Sequence, residues 1–175
     1  MKPLREVAMA YMALSEGQKK LQEKFYEDAL NCCYHAMEFS HTIPVEEAFD
    51  HDGFDALCHA CISGALCRLQ RYGECFESAD IALRYFNRRG NLHQDEGKHW
   101  IITVTSRAIA FAETGKPEEA LKFFRIAVEM VNERKGDFPD REDMLDMIER
   151  QIYALQTSLQ AKKLPVSKAW WEFWS

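Results

Sequence analysis

The stretch from Gly115 to Ala127 reads GKPEEALKFFRIA and carries the pattern that decides the fold. Gly115 suits the left-handed end of one helix and Pro117 suits the first turn of the next, so a short turn between two helices is predicted. Within the second helix, Ala120, Phe124 and Ala127 follow one another at steps of four and three residues, on one face. The stretch therefore predicts a helical hairpin whose second helix presents small residues to its neighbour.

Two earlier segments repeat this spacing of small residues on a predicted helix. They are Ala29, Cys33 and Ala36, which follow Tyr26, and Cys75, Ala79 and Ala82, which follow Tyr72. The leading residues of the three units are 46 and 45 residues apart. A period of this size, carried by paired helices, indicates a helical-repeat protein.

The pattern resembles the tetratricopeptide repeat (TPR), which has an alanine, an aromatic residue four positions on and an alanine three positions further. The two helices of a TPR cross closely, and only small residues leave room there for the neighbouring backbone. Applied to the first helix of each pair, the same frame puts Gly17, Ser63 and Ala108 at the small position. The longer spacing, against about 34 residues in a typical TPR, implies longer helices or loops.

Two further segments are similar to a family of short bacterial TPR-like proteins of unassigned function. They are Pro44 to Ala60 (PVEEAFDHDGFDALCHA) and Arg84 to Trp100 (RYFNRRGNLHQDEGKHW). The resemblance extends over most of the chain, to about the seventh predicted helix. It implies a TPR-like fold and says nothing about a ligand, because one fold can serve many partners.

Apolar residues recur at helical spacing in seven segments, and no segment shows the sustained alternation of a strand. We predict an all-α fold, a TPR-like right-handed superhelix of about three helix-turn-helix pairs plus a C-terminal capping helix. The predicted helices run from near 3 to 22, 26 to 41, the low fifties to 69, 72 to 89, 95 up to Gly115, 117 up to Gly136, and about 140 to 162. The helical domain is expected over residues 1–163, and an aromatic tail over residues 164–175.

Composition and charge exclude several classes of protein. The chain has 175 residues, of which 47% are hydrophobic and 29% charged, as expected for one globular domain. Its formal net charge of -6, without a basic stripe, argues against nucleic-acid binding. The six cysteines fall within predicted helices, which favours a reducing cytoplasm over a disulfide framework. No apolar run approaches the roughly 20 residues of a membrane span.

The functional prediction concerns the inner face of the first helix in each pair. In the best-known TPR ligand mode, Lys, Asn and Arg on this face grip a carboxylate, whereas the corresponding positions here are mostly apolar. The predicted peptide-binding groove is lined by Tyr11, Leu14, Gln18, Ile102, Thr105 and Ile109. Such a groove would bind an apolar helix or an aromatic peptide by shape and burial. Alternatively, the seventh helix or the chain's own tail fills it.

The end of the sequence is rich in aromatic residues. If Ser167 caps a short helix, Trp170, Phe173 and Trp174 share one face, with Trp171 beside them. Four such rings present several hundred Å² of apolar surface, at roughly 150 to 250 Å² each. We expect this tail to dock in a TPR groove, its own or that of a second subunit. A foreign protein and a membrane surface are the alternatives.

Cysteines and histidines on the second and third predicted helices raise the question of a metal site. Cys58 and Cys61 form a CxxC pair beside His59, with Cys32 and Cys33 on the preceding helix. A zinc site needs four convergent ligands and usually places a CxxC on a turn. The preferred interpretation is that these thiols are small buried hydrophobic groups, and no metal or cofactor is predicted.

Two other chemistries are weaker still. The acidic residues around Gly53 suggest a calcium loop, but Ala48 and His59 would then occupy positions that require Asp and Glu. A solvated helix start is the better interpretation. Thiol catalysis by Asp55, Cys58 and His59 would need partners from other helices, and no catalytic residue is predicted.

We interpret the chain as a non-catalytic protein–protein interaction module, a scaffold or adaptor that binds a peptide or helix in an apolar concave groove. One alternative is a self-associating structural or regulatory subunit whose groove is filled by its own or a neighbouring aromatic tail. A second alternative is a metal-binding protein that uses its Cys and His residues.

Overall fold

The computed structural model describes residues 3–163, which form seven α-helices and no strand. The predicted docking tail, with Trp170, Trp171, Phe173 and Trp174, lies outside the described residues. The helices are α1 (Pro3–Gln22), α2 (Tyr26–His41), α3 (His51–Arg68), α4 (Tyr72–Arg89), α5 (Glu96–Glu113), α6 (Pro117–Glu133) and α7 (Arg141–Lys163).

The helices are arranged in pairs and in two layers. Each helix packs against the next one in the chain, and α3 also packs against both α1 and α5. These three helices form the inner layer, and α2, α4 and α6 form the outer layer. The last helix, α7, packs against α6 at the end of the stack. The predicted all-α architecture of three pairs plus a capping helix is confirmed.

The alanines of the repeated pattern are fully buried where paired helices cross. A side chain added at Gly17 would place its Cβ 2.8 Å from Cys33 Sγ, so α1 and α2 have no space for one. Ser63 and Ala108, at the equivalent positions of α3 and α5, have no exposed surface. The alanines of the pattern, each with 0% exposure, are Ala29, Ala36, Ala79, Ala82, Ala120 and Ala127.

The three turns within the pairs share one backbone geometry. Each contains a residue with positive φ, at 67° in Lys24, 61° in Gln70 and 76° in Gly115. The next N–H in each turn donates to a helix carbonyl five residues earlier, which closes the helix end. These bonds, all of 2.9 Å, join Phe25 to Lys20, Arg71 to Leu66 and Lys116 to Phe111.

The start of α3 depends on the carboxylate of Asp50. It accepts hydrogen bonds from the Gly53 N–H at 2.9 Å and from the Tyr85 hydroxyl at 2.6 Å. A Cβ at Gly53 would collide with the Asp50 carboxylate and the Tyr85 hydroxyl, which explains a glycine in the first helical turn. Burial alone would raise the pKa of Asp50, but these two hydrogen bonds and the charges of Arg89 and Arg88 lower it. The acidic segment thus acts as a helix start.

Substitution at a crossing tests the packing argument. Ala79→Val is expected to lower the free energy of unfolding by about 1–3 kcal/mol, because extra methyl groups have no space in a closed core. The control, Ala154→Val on the exposed face of α7, should cost only about 0.5 kcal/mol through helix propensity. Urea unfolding followed by circular dichroism measures both variants. Equal losses would contradict close packing at Ala79.

Candidate functional site

An open groove lies between the inner helix layer and α7. The end of α1 forms one wall, α3 and α5 form the floor, and the first turns of α7 with the preceding loop form the other wall. Leu21 and Gln22 of α1 and Ile102 of α5 are shared by the two halves of the groove. Ile102 therefore occupies the middle of the floor.

The groove has two halves. The methionine half lies beside Met144 and Met147 and has a volume of about 460 Å³. The loop half lies beside residues 138–140 and has a volume of about 420 Å³. Each volume is in the range of ligand-binding clefts, and the open trough has the form that accepts a helix or an extended segment.

Four of the six residues predicted for the groove lie on its lining. Ile102, Thr105 and Ile109 line the methionine half, and Gln18 lines the loop half. Ile102 and Ile109 are partly buried, whereas Thr105 is almost fully buried and donates its hydroxyl to the carbonyl of Ile101 at 2.8 Å. The inner face of α5 therefore supplies the largest share of the predicted set.

The other two predicted residues lie elsewhere. Leu14 is buried within the core cluster that also contains Leu30 and Cys58. Tyr11 is half exposed near the start of α3, where its ring contacts the edge of Phe54, with centroids 5.0 Å apart. Neither residue lines the groove.

Small residues of α3 keep the floor open. Ala60 and Gly64 lie between the wall of α1 and the side chains of α5. A Cβ at Gly64 would lie 3.3 Å from Leu21 Cδ2 and 3.9 Å from Ile102 Cγ2. A larger side chain here would fill the space between wall and floor.

Charge in the groove is confined to its two ends. Lys24 and Arg68 border the methionine half and form no salt bridge within residues 3–163. Asp95 and Lys98 border the loop half beside His99. Burial lowers the pKa of His99, although the negative charge of Glu96 acts in the opposite direction. The lowered pKa favours the neutral ring. The residues shared by the two halves, Leu21, Gln22 and Ile102, are therefore uncharged.

Arg134 joins the two loops that form the end of the loop half. Its guanidinium donates to the carbonyl oxygens of Leu92 and Gln94 and lies 6.0 Å from the ring centroid of Phe138. Gly97 lies directly beneath, where a Cβ would collide with the Leu92 carbonyl and the Arg134 guanidinium. Because Phe138 lines the groove, this junction positions its end.

The cysteines serve packing in the structure. Cys75 Sγ donates to the Ser63 carbonyl at 3.4 Å, within the crossing of α3 and α4. Cys58 and Cys61 are buried, and burial raises the pKa of the Cys58 thiol, which opposes formation of a thiolate. Within residues 3–163, no three His, Cys, Asp or Glu side chains are grouped to hold a metal ion. None of the seven helices in this range has the length and apolar character of a membrane span.

Comparison with known proteins identifies the family. The family model of the Domain of Unknown Function DUF3856 matches residues 2–144. The chain belongs to the DUF3856 family. A TPR-like protein from Chlorobium tepidum TLS, with a crystal structure at 2.54 Å resolution, is 51% identical in sequence and gives a TM-score of 0.84. This match covers 89% of the present chain and 99% of the other, and no curated protein matches significantly.

The DUF3856 match and the crystal structure confirm the TPR-like fold predicted from the repeat. The family match includes α1 to α6 and ends at Met144, in the first turn of α7. It thus contains the floor of the groove, the α1 wall and the loop at residues 138–140. Met147, on the opposite wall, lies beyond it.

Sequence reasoning missed the wall opposite α1. The sequence predicted the seventh helix as a cap, or alternatively as a helix that fills the groove, and assigned none of its residues to the lining; only Ile148 in α7 is fully buried in the core. Met144 and Met147 are partly exposed and face the groove. Met144, Met147 and Ile148 span roughly 100° of the helix circumference, the usual width of one core-facing stripe, so the sequence pattern does not distinguish packing against α6 from lining a groove.

Gly97 and Gly73 form a matched pair for testing the loop junction. Each is the second residue of its helix, but a Cβ at Gly73 would have no neighbour within 4 Å. We expect Gly97→Ala to lower the free energy of unfolding by about 1–3 kcal/mol through the collision with Leu92 and Arg134. Gly73→Ala should be neutral or stabilising by up to about 1 kcal/mol, since alanine favours helix. Urea unfolding measures both, and equal effects would refute the junction's role.

The lowered pKa of His99 predicts how stability depends on pH. Below the ordinary histidine pKa of about 6.5, the unfolded chain binds a proton that the folded chain resists, so stability falls as the pH decreases. His99→Asn should make this decline shallower between about pH 7 and pH 5.5. His35→Asn, which removes an exposed ring, is the control. Thermal unfolding at several pH values checks this, and equally steep declines in both variants would show that His99 is not responsible.

Proposed function

We propose that this DUF3856 protein is a non-catalytic interaction module, a cytoplasmic scaffold or adaptor that binds an apolar or amphipathic helix of another protein in the groove. The observation that carries the proposal is the uncharged apolar floor around Ile102, open between two walls. Helix-in-groove recognition uses such a surface, because it buries the apolar face of the ligand. The TPR-like fold, which commonly serves protein interaction, supports the same conclusion.

The charges at the two ends of the groove would determine the direction in which a helix binds more than the strength of its binding. Lys24 and Arg68 lie at one end, and the other end is net acidic, with Asp95 and Asp140 beside Lys98. A helix with an acidic end and a basic end would be favoured in one direction only, because charge complementarity sets register. The apolar contacts with Ile102 would supply most of the binding free energy.

The two alternatives have unequal support. A groove filled by the chain's own tail is consistent with the apolar lining and is developed below. The metal-binding alternative has no observation in its favour, because the buried thiols of Cys58 and Cys61 lie in the helix-packing core.

Photo-crosslinking tests the proposed function in cells. A photoreactive amino acid at Gln22, which is exposed and borders the groove, should become linked to a foreign protein. The same group at Glu77, exposed on the outer-layer helix α4, should not give that product. Ile102→Asp should reduce the product at least about tenfold, because a buried charge opposes apolar contact. Ile81→Asp, on the partly exposed face of α4, should leave the product unchanged.

The proposed function would be wrong if Gln22 and Glu77 gave the same foreign products. It would also be wrong if Ile102→Asp had no more effect than Ile81→Asp in a protein that remained folded by circular dichroism. Linkage of Gln22 only to the chain's own tail would identify a self-filled groove.

A further inference from the structure

We propose that the groove is closed at rest by the chain's own segment 164–175, and that a foreign ligand must displace this segment. The inference rests on the proposed function, since it assumes that the groove accepts a peptide or helix. The segment carries Trp170, Trp171, Phe173 and Trp174 within five positions. Occupancy of the groove then becomes a regulatory step.

The methionine half offers the chemical groups that aromatic rings prefer. The thioethers of Met144 and Met147 make favourable contacts with ring edges, and flexible methionine side chains adapt to the shape of a ligand. Lys24 and Arg68 border the same half, and cationic side chains are attracted to the faces of aromatic rings. Ile102 supplies the apolar floor between them.

Docking removes two apolar surfaces from water at once. The segment's four rings would each bury roughly 150–250 Å². The groove lining around Ile102 and Ile109 is apolar as well, and monomeric proteins rarely leave large apolar patches exposed. The two surfaces belong to one chain, so each can cover the other.

The length of the connection permits docking within one molecule. Met147 lines the groove and α7 ends at Lys163, which is 16 residues and about 24 Å further along the helix axis. The residues from Trp170 to Trp174 follow Lys163 by 7 to 11 positions, and an extended chain of that length spans roughly 23–40 Å. The rings can therefore return to the methionine half. A short tether gives a local concentration of roughly millimolar, which favours the chain's own segment over a second copy.

The docked segment should weaken the apparent affinity of the groove for a foreign ligand. Binding to a groove that is open for only a fraction of the time weakens the apparent affinity by that fraction. Replacing the four rings by serine should therefore increase the foreign crosslinks formed at Gln22. Ser175→Ala, at a position of the segment without a ring, is the matched control.

Tryptophan fluorescence of the full chain tests the inference. Trp100 is the only tryptophan among residues 3–163, so a Trp100→Phe background leaves the segment as the sole emitter. In this background, emission should lie at short wavelength and resist acrylamide quenching. Ile102→Asp or Met147→Glu should shift the emission to longer wavelength and increase quenching, whereas Ile81→Asp should not. The signal should be independent of protein concentration.

Two results would overturn the inference. The first is emission typical of exposed tryptophan in the Trp100→Phe chain, unchanged by Ile102→Asp and Met147→Glu. The second is protected emission that appears only as concentration and molecular mass rise together, which would assign the segment to a second copy. Neither result bears on the crosslinks formed at Gln22, so the proposed function is tested separately from this inference.

Discussion

Where two paired helices cross, the side chains at the contact can be little larger than a methyl or thiol group, because the backbones approach closely. Ala29, Ala79 and Ala120 satisfy this condition with no exposed surface. Each crossing draws an inner helix against its outer partner, and this lets α1, α3 and α5 pack side by side. The distance between Leu21 on the wall and Ile102 on the floor thus depends on contacts made on the opposite side of the same helices.

The sequence predicted the fold well because its helix ends are marked by residues with strong local preferences. Gly115 adopts the left-handed conformation after α5, and Pro117 begins α6, both as expected. The equivalent turns at Lys24 and Gln70 could not be predicted in this detail, since neither residue favours positive φ. Their conformation follows from the geometry of the pair, so tertiary packing imposes there what glycine permits at Gly115.

The repeat determines which face a residue of α5 occupies, but it does not determine where α7 and the loops lie. Ile102, Thr105 and Ile109 follow from the register of α5 within its pair. The wall formed by Met144 and Met147 depends on the angle at which α7 leaves the stack, which no repeat specifies. The loop half depends in turn on Arg134, whose hydrogen bonds to the carbonyls of Leu92 and Gln94 join residues about 40 positions apart.

The chemistry of the groove limits how it can select a ligand. A floor formed by Ile102 and Ile109, beside a neutral His99, attracts ligands through burial, and many apolar helices can supply that contact. Charges occur only at the ends, where solvent and salt weaken their effect. Under the proposed docking of segment 164–175, selectivity would arise from competition, because a ligand would have to bind more tightly than that segment. In that proposal the groove and the segment act together, and the affinity of the segment for the groove sets the affinity that a partner must exceed.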